Sequence, residues 1–105
     1  MEDFVIATNS DNRVEAFYID SSSTVMHTWQ LNPSDKTKWS APNQLFGTNP
    51  NNGGSNLPLT NASRVEACTD ENGQIQILAF TKDNKYYLCY QTPGFWNGWI
   101  EITQS

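Results

Sequence analysis

Short runs rich in Val, Ile, Phe, Tyr and Thr recur along the chain, and each is bounded by Asn, Asp, Ser and Gly. Runs of that length and composition predict β-strands. Four are expected at about 3–8, 13–19, 24–31 and 43–46, and four more at about 64–69, 74–81, 85–92 and 99–103. The segments between them carry turn chemistry: Asn9-Ser10-Asp11-Asn12, Asp20-Ser21-Ser22-Ser23, Asp70-Glu71-Asn72-Gly73 and Lys82-Asp83-Asn84-Lys85. These residue types tolerate the left-handed backbone that hairpin turns require. Pro42, Pro50, Pro58 and Pro93 fall outside the expected central strands, where a missing N–H would break the ladder. Ala, Leu and Glu never recur at helical spacing, so no helix is expected.

The pattern is also written twice. A shift of 61 positions lays Phe4-Val5-Ile6-Ala7-Thr8 over Val65-Glu66-Ala67-Cys68-Thr69 without a gap. The same shift lays Val14-Glu15-Ala16-Phe17-Tyr18-Ile19 over Ile75-Gln76-Ile77-Leu78-Ala79-Phe80, and Val25-Met26-His27-Thr28-Trp29-Gln30 over Tyr86-Tyr87-Leu88-Cys89-Tyr90-Gln91. After Gln91 four residues drop out, and Trp39 then lies over Trp96. A repeat of this length built from short strands suggests propeller blades. The expected fold is all-β: two four-stranded antiparallel β-propeller blades, spanning 1–46 and 62–105, with an inter-blade connection over 47–61. The longest polar stretch, Gly47 to Ser55, marks that crossing. Two blades cannot close a ring, and a unit that cannot bury its faces alone must stack on neighbours. The ring is therefore expected to be completed by oligomerisation.

Composition narrows the chemistry. The apolar fraction is only 37% while 12% of residues are aromatic, which suits thin sheets packed through large flat side chains. The net charge is −5 and the six basic residues are scattered, so the clustered basic surface that nucleic acid needs is missing. Anionic membranes are disfavoured for the same reason, and no run approaches the roughly 18 apolar residues of a membrane span. The acidic start, Met1-Glu2-Asp3, lacks a signal-peptide layout. Cys68 and Cys89 fall on the first and third strands of their blade, about 9–10 Å apart by strand spacing, too far for a disulfide. Both are read as free, buried thiols. Together these features suggest cytoplasmic synthesis, with later release left open.

Catalysis finds little support in the spacing. The single histidine, His27, shares strand parity with Val25 and Trp29 and lies over Leu88, so it reads as a packed core residue and not a base. Glu15, Glu66 and Glu101 form no second-acid frame of the kind glycosidases use. The sialidase-type propeller turn Ser-x-Asp-x-Gly-x-x-Trp is not matched by Thr69-Asp70-Glu71-Asn72-Gly73. No phosphate loop or metal-ligand cluster is legible, so neither an enzyme nor a cofactor is expected. Asn61-Ala62-Ser63 is a glycosylation sequon, relevant only on a eukaryotic secretory route.

The aromatics are the stronger lead. Trp29, Trp39, Trp96 and Trp99, with Tyr90, cluster on the third strands or the loops after them, beside Gln30, Gln91 and Asn97. A ring covers the apolar C–H face of a sugar while planar amides bind its hydroxyl edge. Trp29 and Tyr90, in mid-strand, also suit inter-blade packing, whereas Trp39, Trp96 and Trp99 lie by turns at blade edges. Gln30 and Gln91 are identical in the two units, so they either hold a structural hydrogen bond or form two equivalent sites.

At this point the residues resemble a known family. Asn12-Arg13-Val14-Glu15-Ala16-Phe17, a Ser/Asp turn, then Val25-Met26-His27-Thr28-Trp29-Gln30 and a Trp loop is similar to the repeat of bacterial propeller lectins of the Photorhabdus type. The first unit departs at its loop, Trp39-Ser40-Ala41-Pro42, with one Trp. The second keeps Trp96-Asn97-Gly98-Trp99 but carries Leu88-Cys89-Tyr90-Gln91 in place of His-x-Trp-Gln. The resemblance implies a non-catalytic, multivalent lectin that binds fucosylated or O-methylated glycans between blades. Two-repeat fucose lectins of another family form six-bladed trimers, so a homotrimer is expected, with an eight-bladed homotetramer as the alternative. A propeller module that grips a protein or peptide through the same aromatic loops is the competing function.

Overall fold

The computed structural model describes residues 3–47 and 54–103. Among them the fold is all-β and contains no helix. The first sheet runs in the order β1 (Phe4–Thr8), β2 (Val14–Ile19), β3 (Val25–Trp29) and β4 (Asn43–Gln44). The second runs β5 (Ala62–Thr69), β6 (Ile75–Thr81), β7 (Tyr86–Thr92), with β8 (Phe95–Trp96) and β9 (Ile100–Ile102) both pairing β7. Every pairing is antiparallel.

The repeat read from the sequence recurs as strand register. Ile6 faces Ala16 and Ala16 faces Thr28 in the first sheet; Ala67 faces Ile77 and Ile77 faces Cys89 in the second. Each pair is displaced by 61 positions. The hairpins repeat as well. Asn12, Ser23, Gly73 and Asn84 all have positive φ, between 64° and 79°. Each donates its N–H to the carbonyl three residues back, on Asn9, Asp20, Asp70 and Thr81 respectively. A tight turn followed by a left-handed residue suits the twist of the flanking strands. Asp70 Oδ1 accepts from the Asn72 and Gln74 N–H groups, and Asp20 Oδ1 from those of Ser22 and Thr24.

The structure differs from expectation in several places: the second sheet has five strands and not four, and β4 ends at Gln44, two residues early. β3 ends at Trp29, and Gln30 continues only as a single bridge to Trp39. β5 begins at Ala62, two residues early, and reaches its register through an irregularity between Ala62 and Arg64. The segment after Gln91 is a hairpin and not a plain loop. Pro93 presets its own φ and Gly94 takes φ 91°, so the chain folds back and Phe95 meets Thr92. The polar crossing expected at 47–55 lies mostly outside the described residues.

Alternation decides what packs. Ala7, Phe17 and Val25 leave the first sheet on one face, with Val5 against them. Val65, Ile75, Ile77, Ala79 and Cys89 leave the second sheet toward them. One core therefore lies between the sheets, closest along β1 and β2 against β5. Leu45 and Trp99 extend it at the outer strands, where Trp99 Nε1 donates to the Leu45 carbonyl at 3.0 Å. The Thr69 hydroxyl ties the inner strands by accepting from Thr8 N–H and donating to Thr8 O.

The cysteines separate. Both are free, as expected, but Cys68 is exposed. It pairs with Gln76 and shares parity with Arg64 and Glu66, on the face of β5 turned away from Val65. Cys89 is buried, donates to the Asn97 carbonyl, and its thiol is pushed up to about 12 by loss of solvent.

Replacing Phe17 with Ala should remove about 3–5 kcal/mol of stability, since a fully buried ring is lost from the middle of the core; chemical denaturation measures it. The turns should respond to acid. The Gln74 and Asn72 N–H groups hold the Asp70 carboxyl below its usual range, and the Thr81 hydroxyl does so for Asp83. A depressed carboxyl contributes stability above its unfolded pKa and loses it as pH falls through the folded value. Amide protection at Asn72 and Gln74 should therefore hold down to about pH 4 and decline below it.

Candidate functional site

A cleft of about 510 Å³ opens where the two sheets meet, at the end that carries the Asn9–Asn12 turn. The first sheet supplies Asn9 and Arg13 from that turn, Glu15 from β2, and His27 and Trp29 from β3. The second sheet supplies Gln74, Gln91 and the Pro93–Gly94 hairpin with Phe95 and Trp96. The fold positions these groups by parity. Glu15 lies opposite Trp29, and Phe17 opposite His27, so all four leave the same face of the first sheet.

A polar relay crosses the base of the cleft. Gln91 Nε2 donates to Asn9 Oδ1 at 2.8 Å. Asn9 Nδ2 donates to Glu15 Oε1 at 3.1 Å and to the Arg13 carbonyl at 3.2 Å. Glu15 Oε2 lies 2.6 Å from His27 Nδ1. A carboxylate only accepts, so Nδ1 is the donor and the second ring nitrogen is not needed for this contact. Asn9, Glu15 and His27 are all buried. Buried polar groups must be paired, and here each is paired with the next.

The rings surround the relay. His27 stacks on Phe17 at 6.2 Å and 11°, lies 4.9 Å from Trp29, and meets Trp96 edge-on at 6.0 Å. Trp96 also meets Phe17 edge-on at 5.9 Å. Phe95 projects from the hairpin and is exposed. At the rim Arg13 Nε pairs with Asp11 Oδ2 at 2.6 Å, which holds the Asp11 carboxyl below its usual range. The cleft thus combines aromatic faces, a buried acid–imidazole pair, a guanidinium and amides.

Of the residues singled out from the sequence, Trp29, Trp96 and Gln91 meet in this cleft. Five others lie elsewhere. Trp99 is 2% exposed and belongs to the core. Asn97 is buried, and its side chain donates to the Tyr90 carbonyl and the Thr92 hydroxyl. Tyr90 faces Gln76, on the side of the second sheet away from the core. Trp39 bridges Gln30 and donates from Nε1 to the Lys36 carbonyl. Gln30 is buried, with Oε1 accepting from Val14 N–H at 2.8 Å and Nε2 donating to Lys36 O.

Gln91 Oε1 accepts from Ile75 N–H, also at 2.8 Å, so the repeated glutamine holds the same structural bond in both units. Only Gln91 also reaches across to the cleft.

Sequence reasoning left out Asn9, Arg13, Glu15 and His27 as site residues. His27 is packed, as its parity implied, yet it also lines the cleft. The signal lay in the imperfection of the repeat: Glu15 lies over Gln76 and His27 over Leu88. A polar pair kept at core parity in one unit and absent from the other marks a place where packing alone is not the requirement.

Among the described residues no three His, Cys, Asp or Glu side chains come together as a metal site. Among them, too, no helix is long and apolar enough to cross a membrane. No protein-family model matches the chain, and a search of curated proteins finds no match.

Glu15→Ala should leave His27 Nδ1 without its acceptor and Asn9 Nδ2 with only the Arg13 carbonyl. A loss of about 2–3 kcal/mol is expected in denaturant unfolding, the range for buried bonds to a charged group. Glu15→Gln, which keeps an acceptor oxygen, should lose less.

Proposed function

We propose that the chain is a non-catalytic carbohydrate-binding protein, with its sugar site in the cleft between the two sheets. The observation that carries this reading is the pairing of aromatic faces with fixed polar groups in one open cleft. Trp29, Trp96 and Phe95 offer surfaces for a sugar's C–H face, and Arg13, His27 and Gln74 offer polar contacts for hydroxyls. The relay beneath them sets their positions before a ligand arrives, which lowers the ordering cost of binding.

The resemblance of Arg13-Val14-Glu15 and His27-Thr28-Trp29-Gln30 to the Photorhabdus-type repeat supports fucose-like or O-methylated sugars. That stretch supplies Arg13, Glu15, His27 and Trp29 to the cleft, and the second sheet supplies the facing wall. Binding without turnover is favoured by the acids that line the cleft. Glu15 is engaged by Asn9 and His27, and Asp11 by Arg13, so each acid of the cleft already serves a hydrogen bond or ion pair within the fold.

The two sheets are read as propeller blades. Their contact is closest where β1 and β2 meet β5, and packing along the inner strands is what blades around an axis require. Copies of the chain then complete the ring, six blades from three chains being the favoured size. Weak single-site contacts gain through multivalency.

A glycan array with labelled protein tests the reading. Binding concentrated on fucosylated or methylated glycans is expected; a blank array with folded protein would move the function to a protein or peptide partner. Trp96→Ala should weaken glycan binding at least about tenfold, by loss of a stacking face. Because Trp96 also packs on Phe17, Phe95→Ala is the companion variant. Its exposed ring contributes little to the core, so weakened binding with an unchanged melt would locate the sugar at this hairpin.

A further inference from the structure

Each sheet uses one face for the core and leaves the other open. On the first sheet the open face carries Phe4, Ile6, Tyr18 and Met26, with Phe4 55% and Ile6 57% exposed. On the second it carries Leu78, Phe80, Tyr86 and Leu88, with Leu78 40% exposed. These two open faces are not arbitrary. The residues that the first sheet packs inward, Val5, Phe17 and His27, lie over Glu66, Leu78 and Leu88 in the repeat. The residues that the second sheet packs inward, Ala67, Ile77 and Cys89, lie over Ile6, Ala16 and Thr28. The open face of each sheet is therefore the repeat counterpart of the face its neighbour has already buried. The chain carries one interface made and its two halves left over.

We infer that the open face of the second sheet receives the open face of the first sheet of a second copy, head to tail, in the geometry of the internal contact. This deepens the blade reading proposed above and rests on it; it does not depend on the sugar. Two observations single out a copy of this chain as the partner. Cys68 is exposed while its counterpart Ala7 is buried in the internal contact, so the same seat on the second sheet is empty. Thr69 ties to the Thr8 backbone inside the chain, and Thr8 is its repeat counterpart, so a neighbour docked in the same geometry brings a second threonine to the Thr69 backbone. A contact of this kind repeats until it closes.

The junction also completes a second cleft. Asp70, Gln76 and Tyr90 of one copy take the places of Asn9, Glu15 and Trp29, and Gln30 and Trp39 of the next take those of Gln91 and Trp96. This places Trp39 and Tyr90, remote from the internal cleft, at a shared site. Its wall differs in chemistry, because Leu88 and Gln76 replace the imidazole and the carboxylate. Asp70 brings a carboxylate where Asn9 carries an amide, so this cleft sets one acid beside an apolar Leu88 wall. The junction lacks one anchor, since the position of Trp99 falls on Pro42, which has no donor.

The test uses the full chain and two surface variants, Leu78→Asp and Ile6→Glu, each on an open face outside the core. Mass by light scattering and labelling of Cys68 with a thiol reagent are the readouts; Cys89 stays unlabelled throughout. The unaltered protein should run as a multiple of the chain mass with Cys68 protected. Each variant alone should run as a single chain with Cys68 labelled. Mixed together, the two should form a one-to-one pair, because each keeps the face the other has lost. A single-chain mass for the unaltered protein with Cys68 freely labelled would overturn the interface, and so would failure of the mixture to pair.

Titration with methyl α-L-fucoside by calorimetry tests the second cleft. Two sites per chain in the assembly and one in Leu78→Asp is the expected result. One site in both would remove the shared cleft. No binding to either would sink the sugar reading and the shared cleft with it, while mass and thiol protection still decide the interface.

Discussion

The face-to-face contact between the two sheets is the constraint on which the rest of the molecule depends. A short antiparallel sheet has two faces and too little area to stand alone. Phe17 and Val25 on one side, and Ile75, Ile77 and Cys89 on the other, bury one face of each. That contact fixes which residues share a side. Because Phe17 points inward, Glu15 does too; because Val25 does, His27 and Trp29 follow. The cleft is thus made of residues that obey the parity of the core but lie beyond its end.

The same contact explains why the cleft is polar at its base and aromatic along its walls. Toward β5 the inward positions are aliphatic and exclude water. Toward the Asn9–Asn12 turn they become Glu15, His27 and Gln91, and these can be tolerated only because Asn9 links them in one chain of hydrogen bonds. The relay spans both sheets, so it couples the cleft to the integrity of the core. A sugar held there would meet groups whose orientation the fold has already set.

Much of the fold was legible in the residues. The hairpins follow from Asn12, Ser23, Gly73 and Asn84 at left-handed positions, and the register from the 61-residue repeat. The candidate site was legible only in part. Trp29, Trp96 and Gln91 were found because rings and amides stand out in composition. Trp99 and Asn97 stand out equally, yet Trp99 is turned into the core by its bond to Leu45 and Asn97 is consumed by the carbonyl of Tyr90. Residue type indicates what a side chain can do, not which way it faces at the ends of strands, where alternation lapses into turns. Cys68 illustrates the same limit, being one residue out of phase with the buried side of β5.

The sequence by itself determined that the chain is all-β, that its units are two copies of one pattern, and that their turns are tight. Those properties are local: they depend on φ preferences, on side-chain branching and on spacing along the chain. The tertiary structure alone decided that Asn9, Glu15, His27 and Gln91 form one relay, although Asn9 and Gln91 lie 82 positions apart. It also decided which of two chemically similar faces is covered and which is left open. Pairing across sheets is set by the geometry with which two twisted surfaces fit, and no neighbour along the chain carries that information.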